Sequence, residues 1–465
     1  MLHRMIVSSV GVAALLAQQV WAADTLLGSF GNTQLQRDTG DAVQKTCGGF
    51  VEAGANADEI PLFATCRSMV QTAGELEDPS LSLPYSLGLT QTQLADSLQQ
   101  IATEEFGATE TMASDISSSR MDPVITRLVE LRAGARGFSV AGLLPGDASE
   151  AMAASGISNS AAELGGAAGD GLGSRLGGFF NASYGTGDKD GTDRTNSFDF
   201  DSYNVTAGLD YRISDDLVIG GAINYYEIDS DFDKNPEVAG GSTDAEGWGA
   251  SVFGTWYKDN FYVDAIAGYA SSDYDTDRKI FIPSNNPTVP QIVETATASP
   301  ESDDYTFGIG AGYNFNNNAL NWGPYFRATY IKVEIDDYRE KGAETSGLNL
   351  AVKGQDWESM TTVLGGQINY TFNQDFGVLV PYARAGWTHQ FENDATAMTA
   401  VYVDDPRGNV LRAWTDDPDE DYAELGLGVS AVFKGGLQAF FNYDTLLELD
   451  DLTTHLFTVG VRMEL

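Results

Sequence analysis

The sequence predicts an all-β transmembrane barrel of twelve antiparallel strands, preceded by a small α-helical N-terminal region. Three observations predict it. The last residues, Phe457 to Leu465, alternate apolar and polar without a break, the period of a strand with one greasy and one wet face. The same rhythm recurs from Ser174 onward, each time cut by turn residues. The connections alternate between tight turns and long acidic loops, the pattern of a closed sheet that crosses a membrane. The apolar stretch Ile6 to Leu16 is shorter than the roughly 20 residues a spanning helix needs, and no later segment qualifies. Lipid tolerates no open sheet edge, so such a chain crosses a membrane only as a closed barrel.

Residues 1–23 read as a secretory signal. His3 and Arg4 give a polar or basic start, the apolar stretch follows, and Val20-Trp21-Ala22 fits small-x-small, with cleavage expected after Ala22 or Ala23. Residues 24–140 form a polar, passenger-like region in which two to four short helices are expected. Thr90-x-x-Gln93 is a capping box followed by Leu94, Leu98 and Ile101 at helical spacing. Asp122-Pro123 offers an N-cap with Pro at the first helical position, Val124, Leu128 and Leu131 then share one face, and Gly134 is a stop signal. Cys47 and Cys66 are the two cysteines, and in an exported chain a disulfide between them is favoured. It is worth roughly 3 kcal/mol in the chain-entropy model. A metal site would want two further ligands nearby, and no His lies between the cysteines. Residues 141–173, rich in Ala, Gly and Ser, are expected to be a linker or a pore-threading segment.

The barrel occupies residues 174–465, with strands expected to start near Arg175, Asp199, Asp216, Glu246, Asn260, Asp304, Trp322, Glu358, Phe376, Tyr422, Leu437 and Thr453. Ile213 to Asp216, Lys258 to Asn260, Asn316 to Ala319, Asn373 to Asp375 and Lys434 to Gly436 are tight turns, while the longest loops run from about 274 to 302 and from 393 to 420. Short turns belong on the periplasmic side, and an even strand count puts the start of the first strand and the C-terminus there too. With apolar parity taken as outward, Tyr211, Trp256, Phe261, Phe315, Trp322, Phe372 and Phe433 form an aromatic girdle at that end. The opposite parity makes Asn224, Asp264, Arg327, Gln367, Asn369, Arg384, Glu424, Asn442, Asp444, Arg462 and Glu464 lumen-lining. They are either a solvated wall or a lining that holds a threaded peptide.

The net charge of −41, from 67 acidic and 26 basic residues, argues against nucleic acid as a partner. The acid concentrates in Asp188 to Asp201, Glu227 to Asp233, Asp273 to Asp277 and Asp416 to Asp421. These are solvated loops, or sites where divalent cations bridge to lipopolysaccharide. Asp188-Lys-Asp190-Gly-Thr-Asp193 is similar to a calcium loop, but its Gly sits at the wrong offset and no Glu closes it. Beyond the signal the histidines are His389 and His455, both on the outward parity near the rim, and neither G-x-S-x-G nor H-E-x-x-H occurs. No catalytic residue, cofactor or metal is expected.

Gly177-Gly-Phe-Phe-Asn181 with Asp188-Lys-Asp190, Phe198-Asp-Phe-Asp-Ser-Tyr203 and Ala207-Gly-Leu-Asp-Tyr211-Arg212 resemble the opening strands of autotransporter β-domains, the translocator units of type V secretion. Asp259-Asn-Phe-Tyr-Val-Asp264 and Tyr274-Asp-Thr-Asp-Arg-Lys279 fit the same pattern, so the resemblance covers about 174–465. The Cys pair and Gln93-Leu94…Leu98…Leu131-Arg132 resemble the short helical leader of small members. The resemblance implies a monomeric outer-membrane barrel whose own chain runs up through the pore and carries the N-terminal region to the cell surface. It also implies outer-membrane lipid, lipopolysaccharide, the barrel-assembly machinery and periplasmic chaperones as partners. About 20 residues of helix span 30 Å, so residues 147–172, with their small side chains, are long enough to thread a narrow pore. Phe457, Val459, Val461, Met463 and Leu465 would form the C-terminal assembly signal, although family barrels usually end in Phe or Trp. Some relatives cut themselves inside the pore, and Asn159 is the candidate here. The region before the barrel lacks the repeats of a β-helix. Two alternatives stand beside this reading. One is a structural or adhesive barrel with acidic surface loops and a periplasmic N-terminal domain; the other is a barrel-rim hydrolase.

Overall fold

Twelve long antiparallel strands close into a ring. The computed structural model describes residues 26–57, 59–102, 121, 123–129, 131, 175–234, 239–392, 394–433 and 437–464. The strands are β1 (Leu176–Lys189), β2 (Phe198–Ser214), β3 (Leu217–Phe232), β4 (Gly241–Lys258), β5 (Phe261–Ile282), β6 (Glu301–Tyr313), β7 (Leu320–Ile335), β8 (Gln355–Tyr370), β9 (Gly377–Gln390), β10 (Asp421–Phe433), β11 (Gln438–Leu447) and β12 (Leu452–Glu464). Each pairs with its neighbours in sequence, and β12 returns to β1, with Phe180 opposite Val461 and Asn181 opposite Gly460. Closure leaves no unpaired backbone edge facing lipid.

The turns at one end are tight. Asp259 and Asn318 adopt the left-handed backbone (φ 54° and 55°) that lets β4–β5 and β6–β7 reverse within a few residues. Lys434 to Gly436 lie outside the described residues. Outward side chains are apolar: Leu209, Ile223, Val252, Ile309, Leu364 and Leu427 are all exposed on the outer wall. At the short-turn end Trp256 meets Phe261, Phe315 stacks on Trp322, and Phe376 lies beside Phe433. Tyr184, Tyr203, Tyr225, Trp248, Tyr269 and Tyr305 form a second aromatic belt toward the other end. Amphipathic rings of this kind mark the two interfaces of a bilayer.

The long-loop end differs from the sequence expectation. Residues 274–302 are not an open loop: β5 continues to Ile282 and a strand at Ile292–Ala298 returns beside it. Within the other long connections, Tyr338–Arg339, Leu350–Val352, Ala397–Tyr402 and Val410–Trp414 form a four-stranded sheet. These strands are short, and their outer faces mix apolar and polar residues (Ala397, Thr399 and Val401; Val410, Arg412 and Trp414), so no clean alternation marks them in the sequence. Their inner faces, with Ile280, Ile282, Leu350, Val352, Met398, Tyr402 and Leu411, are apolar and buried. Likewise β4 starts at Gly241 rather than near Glu246, since Asp244 and Glu246 keep the outward parity and Thr243 and Ala245 the inward one.

Three helices sit against this sheet: α1 (Gln34–Glu52), α2 (Pro61–Glu77) and α3 (Gln91–Gln100). Thr33 and Gln36 close a capping box on α1, and Thr90 and Gln93 close the expected one on α3. Pro61 opens α2, where its missing N–H leaves no donor unpaired. The Cys47–Cys66 disulfide joins α1 to α2, with both sulfurs buried. One apolar cluster runs from Leu35, Val43, Phe50, Leu62, Met69, Leu94 and Leu98 into Ile280, Leu348, Leu350, Met398 and Leu411, so the helices and the loop sheet share a core. Gly134, the expected stop of the next helix, lies outside the described residues.

Candidate functional site: the lumen and its outer mouth

The inner wall is built from aromatic rings laid over glycines on the adjacent strand. Phe179 faces Gly208, Phe253 faces Gly220, Tyr262 faces Gly312, Tyr325 faces Gly365, Tyr382 faces Gly428 and Phe440 faces Gly460. A Cβ at any of these glycines would meet the ring opposite. Rings lying flat along the wall narrow the lumen but leave its axis open.

A helical segment of this chain occupies that axis. Residues 121, 123–129 and 131 are helical, and Met121, Val124, Leu128 and Leu131 pack on inward Phe179, Val218, Ala222, Phe253 and Ile266. Arg127 points at the wall of β2, where its Nε donates to Asp210 Oδ2 at 2.8 Å and its Nη2 reaches the same oxygen. The guanidinium also lies 5.6 Å from the Phe179 ring centre. Arg127 is 1% exposed and Asp210 5%, so the pair is dry. Asn181 Nδ2 donates to the carbonyl of Pro123 and Asn442 Nδ2 to Thr126 Oγ1 at 3.3 Å. The stretch 147–172 and Asn159 lie outside the described residues.

The other side of the lumen is polar. Arg327 pairs with Glu424 at 2.6 Å, and Tyr325 donates to the same carboxylate at 2.7 Å. Arg384 pairs with Asp444 at 2.9 Å, and Tyr382 donates to Asn442. Gln367 donates to Asn314 at 2.9 Å and Asn321 to Asn369 at 3.0 Å. A gap open to solvent separates this wall from Ile125, Leu128 and Val129, and Asp264, Arg327, Gln367 and Arg384 line it. Asn224 is buried on β3 against Gly249, and Arg462 is buried on β12. For Met463 and Glu464 the backbone alone is described, pairing with Gly178 and Gly177; Leu465 lies outside the described residues. Phe457, Val459 and Val461 are exposed on the outer wall.

The expected set omitted Phe179, Asn181, Asp210 and Phe253, which contact the lumen segment. Parity alone places each of them inward. The signal for the ion pair was chemical: Arg127 is a cation among the apolar residues Val124, Leu128 and Leu131, and Asp210 is an inward acid near the short-turn end of β2.

The acidic segments hold structure together at the mouth. Lys189 pairs with Asp416 at 3.0 Å, Thr192 and Thr195 each donate to Asp416 at 2.6 Å, and Arg194 pairs with Asp417 at 3.2 Å. The Lys189–Thr195 segment therefore clasps the loop before β10. Burial pushes the Asp416 carboxyl up, but the two threonine hydrogen bonds and the Lys189 charge outweigh it and leave it below the usual carboxylate range. Beyond the upper aromatic belt, Asp201, Asp229, Asp244 and Asp275 lie directly opposite one another on β2 to β5. Like charges so placed repel. Burial first, then Asp229 and Asp231, raise the Asp244 carboxyl to about 6.

His389 Nδ1 bonds Asp421 at 2.9 Å and its ring meets Phe391 edge-on; His455 Nδ1 bonds Tyr443 at 2.9 Å. Among the described residues, His389, Glu420 and Asp421 are grouped closely enough to hold a metal ion, although two of the three are exposed.

A family model described as the autotransporter beta-domain matches residues 178–444, more than half of the chain. Outer membrane protein A of Rickettsia conorii is 27% identical over 249 residues, 53% of this chain and 12% of that protein. Esterase EstA of Pseudomonas aeruginosa is 25% identical over 253 residues, 52% of this chain and 36% of that protein. The chain thus spans about an eighth to about a third of these relatives. Among solved structures, the translocator domain of autotransporter NalP from Neisseria meningitidis is similar over 70% of this chain and 100% of its own, with TM-score 0.49 and 12% identity. The family-model match over residues 178–444 spans most of the closed ring, and on that match the chain belongs to the autotransporter beta-domain family and is a barrel of the bacterial outer membrane.

Proposed function

We propose that the barrel carries its own N-terminal region through the lumen and keeps it at the cell surface as a structured cap. One observation carries this reading. The helices lie at the long-loop end, β1 begins at the short-turn end, and helical residues between them in sequence occupy the lumen. With the short turns periplasmic, the chain then runs from the outside, through the pore, into the first strand. The domains follow: 1–23 as signal, 24–140 as a passenger-like region that includes the lumen segment, 141–173 as linker, and 174–465 as translocator. Outer-membrane lipid, lipopolysaccharide, the assembly machinery and periplasmic chaperones are its partners in this scheme. Phe457, Val459, Val461, Met463 and Leu465 form the C-terminal assembly signal in this reading. The same arrangement speaks against a periplasmic helical domain. Protease treatment of intact cells tests the proposal. The expected result is cleavage of exposed loop sites, with residues 26–102 reachable by surface label; labelling only after permeabilisation of the outer membrane would refute it.

A rim hydrolase is the second reading, because an esterase is among the relatives. We assign no enzymatic role. His389 and His455 are both held by neighbours on the outward wall, where they serve packing at the membrane rim. Assay of the purified chain with short-chain nitrophenyl esters decides this; turnover abolished by His389→Ala would establish the hydrolase instead.

A further inference from the structure

We propose that the outer loops form a receptor that holds the helical domain without the covalent tether: cut between 131 and 175, the N-terminal fragment stays on the barrel. This rests on the display reading and goes beyond it.

The helical domain does not close its core with its own residues. α1 keeps Lys45, Val51 and Glu52 exposed and Gln34, Arg37, Asp38 and Asp41 partly in water, but it buries Thr39, Gln44 and Thr46. The Thr46 hydroxyl donates to Asp405 of a barrel loop at 3.2 Å. The reverse holds for the loops: without the helices, Ile280, Leu348, Leu350, Val352, Met398 and Leu411 would face water. An interface in which both sides contribute to one apolar core resembles an obligate assembly.

Buried polar groups fix the register. Arg278, at 2% exposed, pairs with Glu340, gives Nη2 to the Leu348 carbonyl at 2.9 Å and Nη1 to the Gln100 carbonyl at 3.4 Å. It therefore ties two barrel loops to the end of α3. The Gln100 side chain in turn accepts the backbone N–H of Phe281 at 2.8 Å and of Ala239 at 3.3 Å. Thr65 donates to the Ser346 carbonyl at 2.9 Å, and Asn286 Nδ2 donates to the Ser86 carbonyl at 2.8 Å. Separation would leave these groups without their partners, which raises the barrier to release.

The test uses the full chain with a site for a specific protease placed between 141 and 173. It is displayed on cells, purified in mild detergent, cut, and run on a sizing column. The expected result is co-elution of both fragments until heating. Elution of the N-terminal fragment apart from the barrel would overturn the proposal. Leu350→Asp with Met398→Asp should speed release at least ten-fold after cutting; if that barrel fails to assemble, Arg278→Ala is read in its place. Asp210→Ala, cut in the same way, should still retain the fragment. Release from Asp210→Ala would show that the lumen pair alone holds it and would also overturn the receptor. Surface labelling before cutting separates the two readings. Failure to label intact cells defeats display, whereas labelling followed by release on cutting defeats only the receptor.

Discussion

The guanidinium of Arg127 closes on the carboxylate of Asp210 inside the barrel, Nε to Oδ2 at 2.8 Å, and joins the threaded chain to its own wall. Both groups are almost fully buried, so the loss of one strands the other. Arg127→Ala or Asp210→Ala should cost on the order of 3 kcal/mol in the stability of the lumen segment. Replacing both with apolar residues should recover much of it. Hydrogen exchange over residues 123–129 and single-channel conductance report the loosening; unchanged protection in the single variants would show that the pair does not hold the segment.

The ring-over-glycine pairs predict a steric effect with a built-in control. Gly365→Ala places a methyl where the Tyr325 ring lies and should destabilise the barrel by about 1–3 kcal/mol. Tyr325→Leu in the same chain should restore part of the loss. The shift of the folded band on unheated gels, followed with temperature, measures both.

Removing the disulfide with Cys47→Ala and Cys66→Ala should cost the cap about 3 kcal/mol by the chain-entropy model. Proteolysis of residues 26–102 should accelerate while the folded barrel band is unaffected.

Two mouth carboxylates give opposite slopes with pH. Asp244 titrates higher when folded, near 6, than in an unfolded chain, near 3.9. Its ionised form is a liability above 6, and stability rises as pH falls from about 6 toward 4. Asp416 is shifted downward, so its contribution is present above the unfolded value and is lost as pH falls through the folded one. Asp244→Asn should flatten the gain between pH 6 and 4 in the melting of the outer strands, and Asp416→Asn the loss at lower pH. An Asp244→Asn melting curve with the wild-type slope would show that the row of aspartates is already relieved by other means.

Much of the wall was legible because strand parity is rigid: a one-residue slip would turn Phe307, Ile309 and Tyr313 inward. The α3 capping box and the cysteine pair were equally plain, being local. The lumen contacts were harder. A two-residue rhythm marks Phe179 and Phe253 only as breaks in a wet face, and Val124, Leu128 and Leu131 only as a helix face without a named partner. Inward glycines read as polar spacers until the register set rings against them. The strands inside the long loops were hidden because their apolar faces are completed by helices more than a hundred residues away in sequence, such as Leu350 beside the α1–α3 core.

The burial of one face of α1 under the loop sheet has an immunological consequence. An antibody or phage tail approaching the bacterium would meet loop strands such as Val410–Trp414, whose Val410 and Trp414 side chains stand exposed. Antisera raised against a peptide of residues 34–52 should stain denatured protein much more strongly than intact cells, where only Lys45, Val51 and Glu52 of that peptide stand exposed.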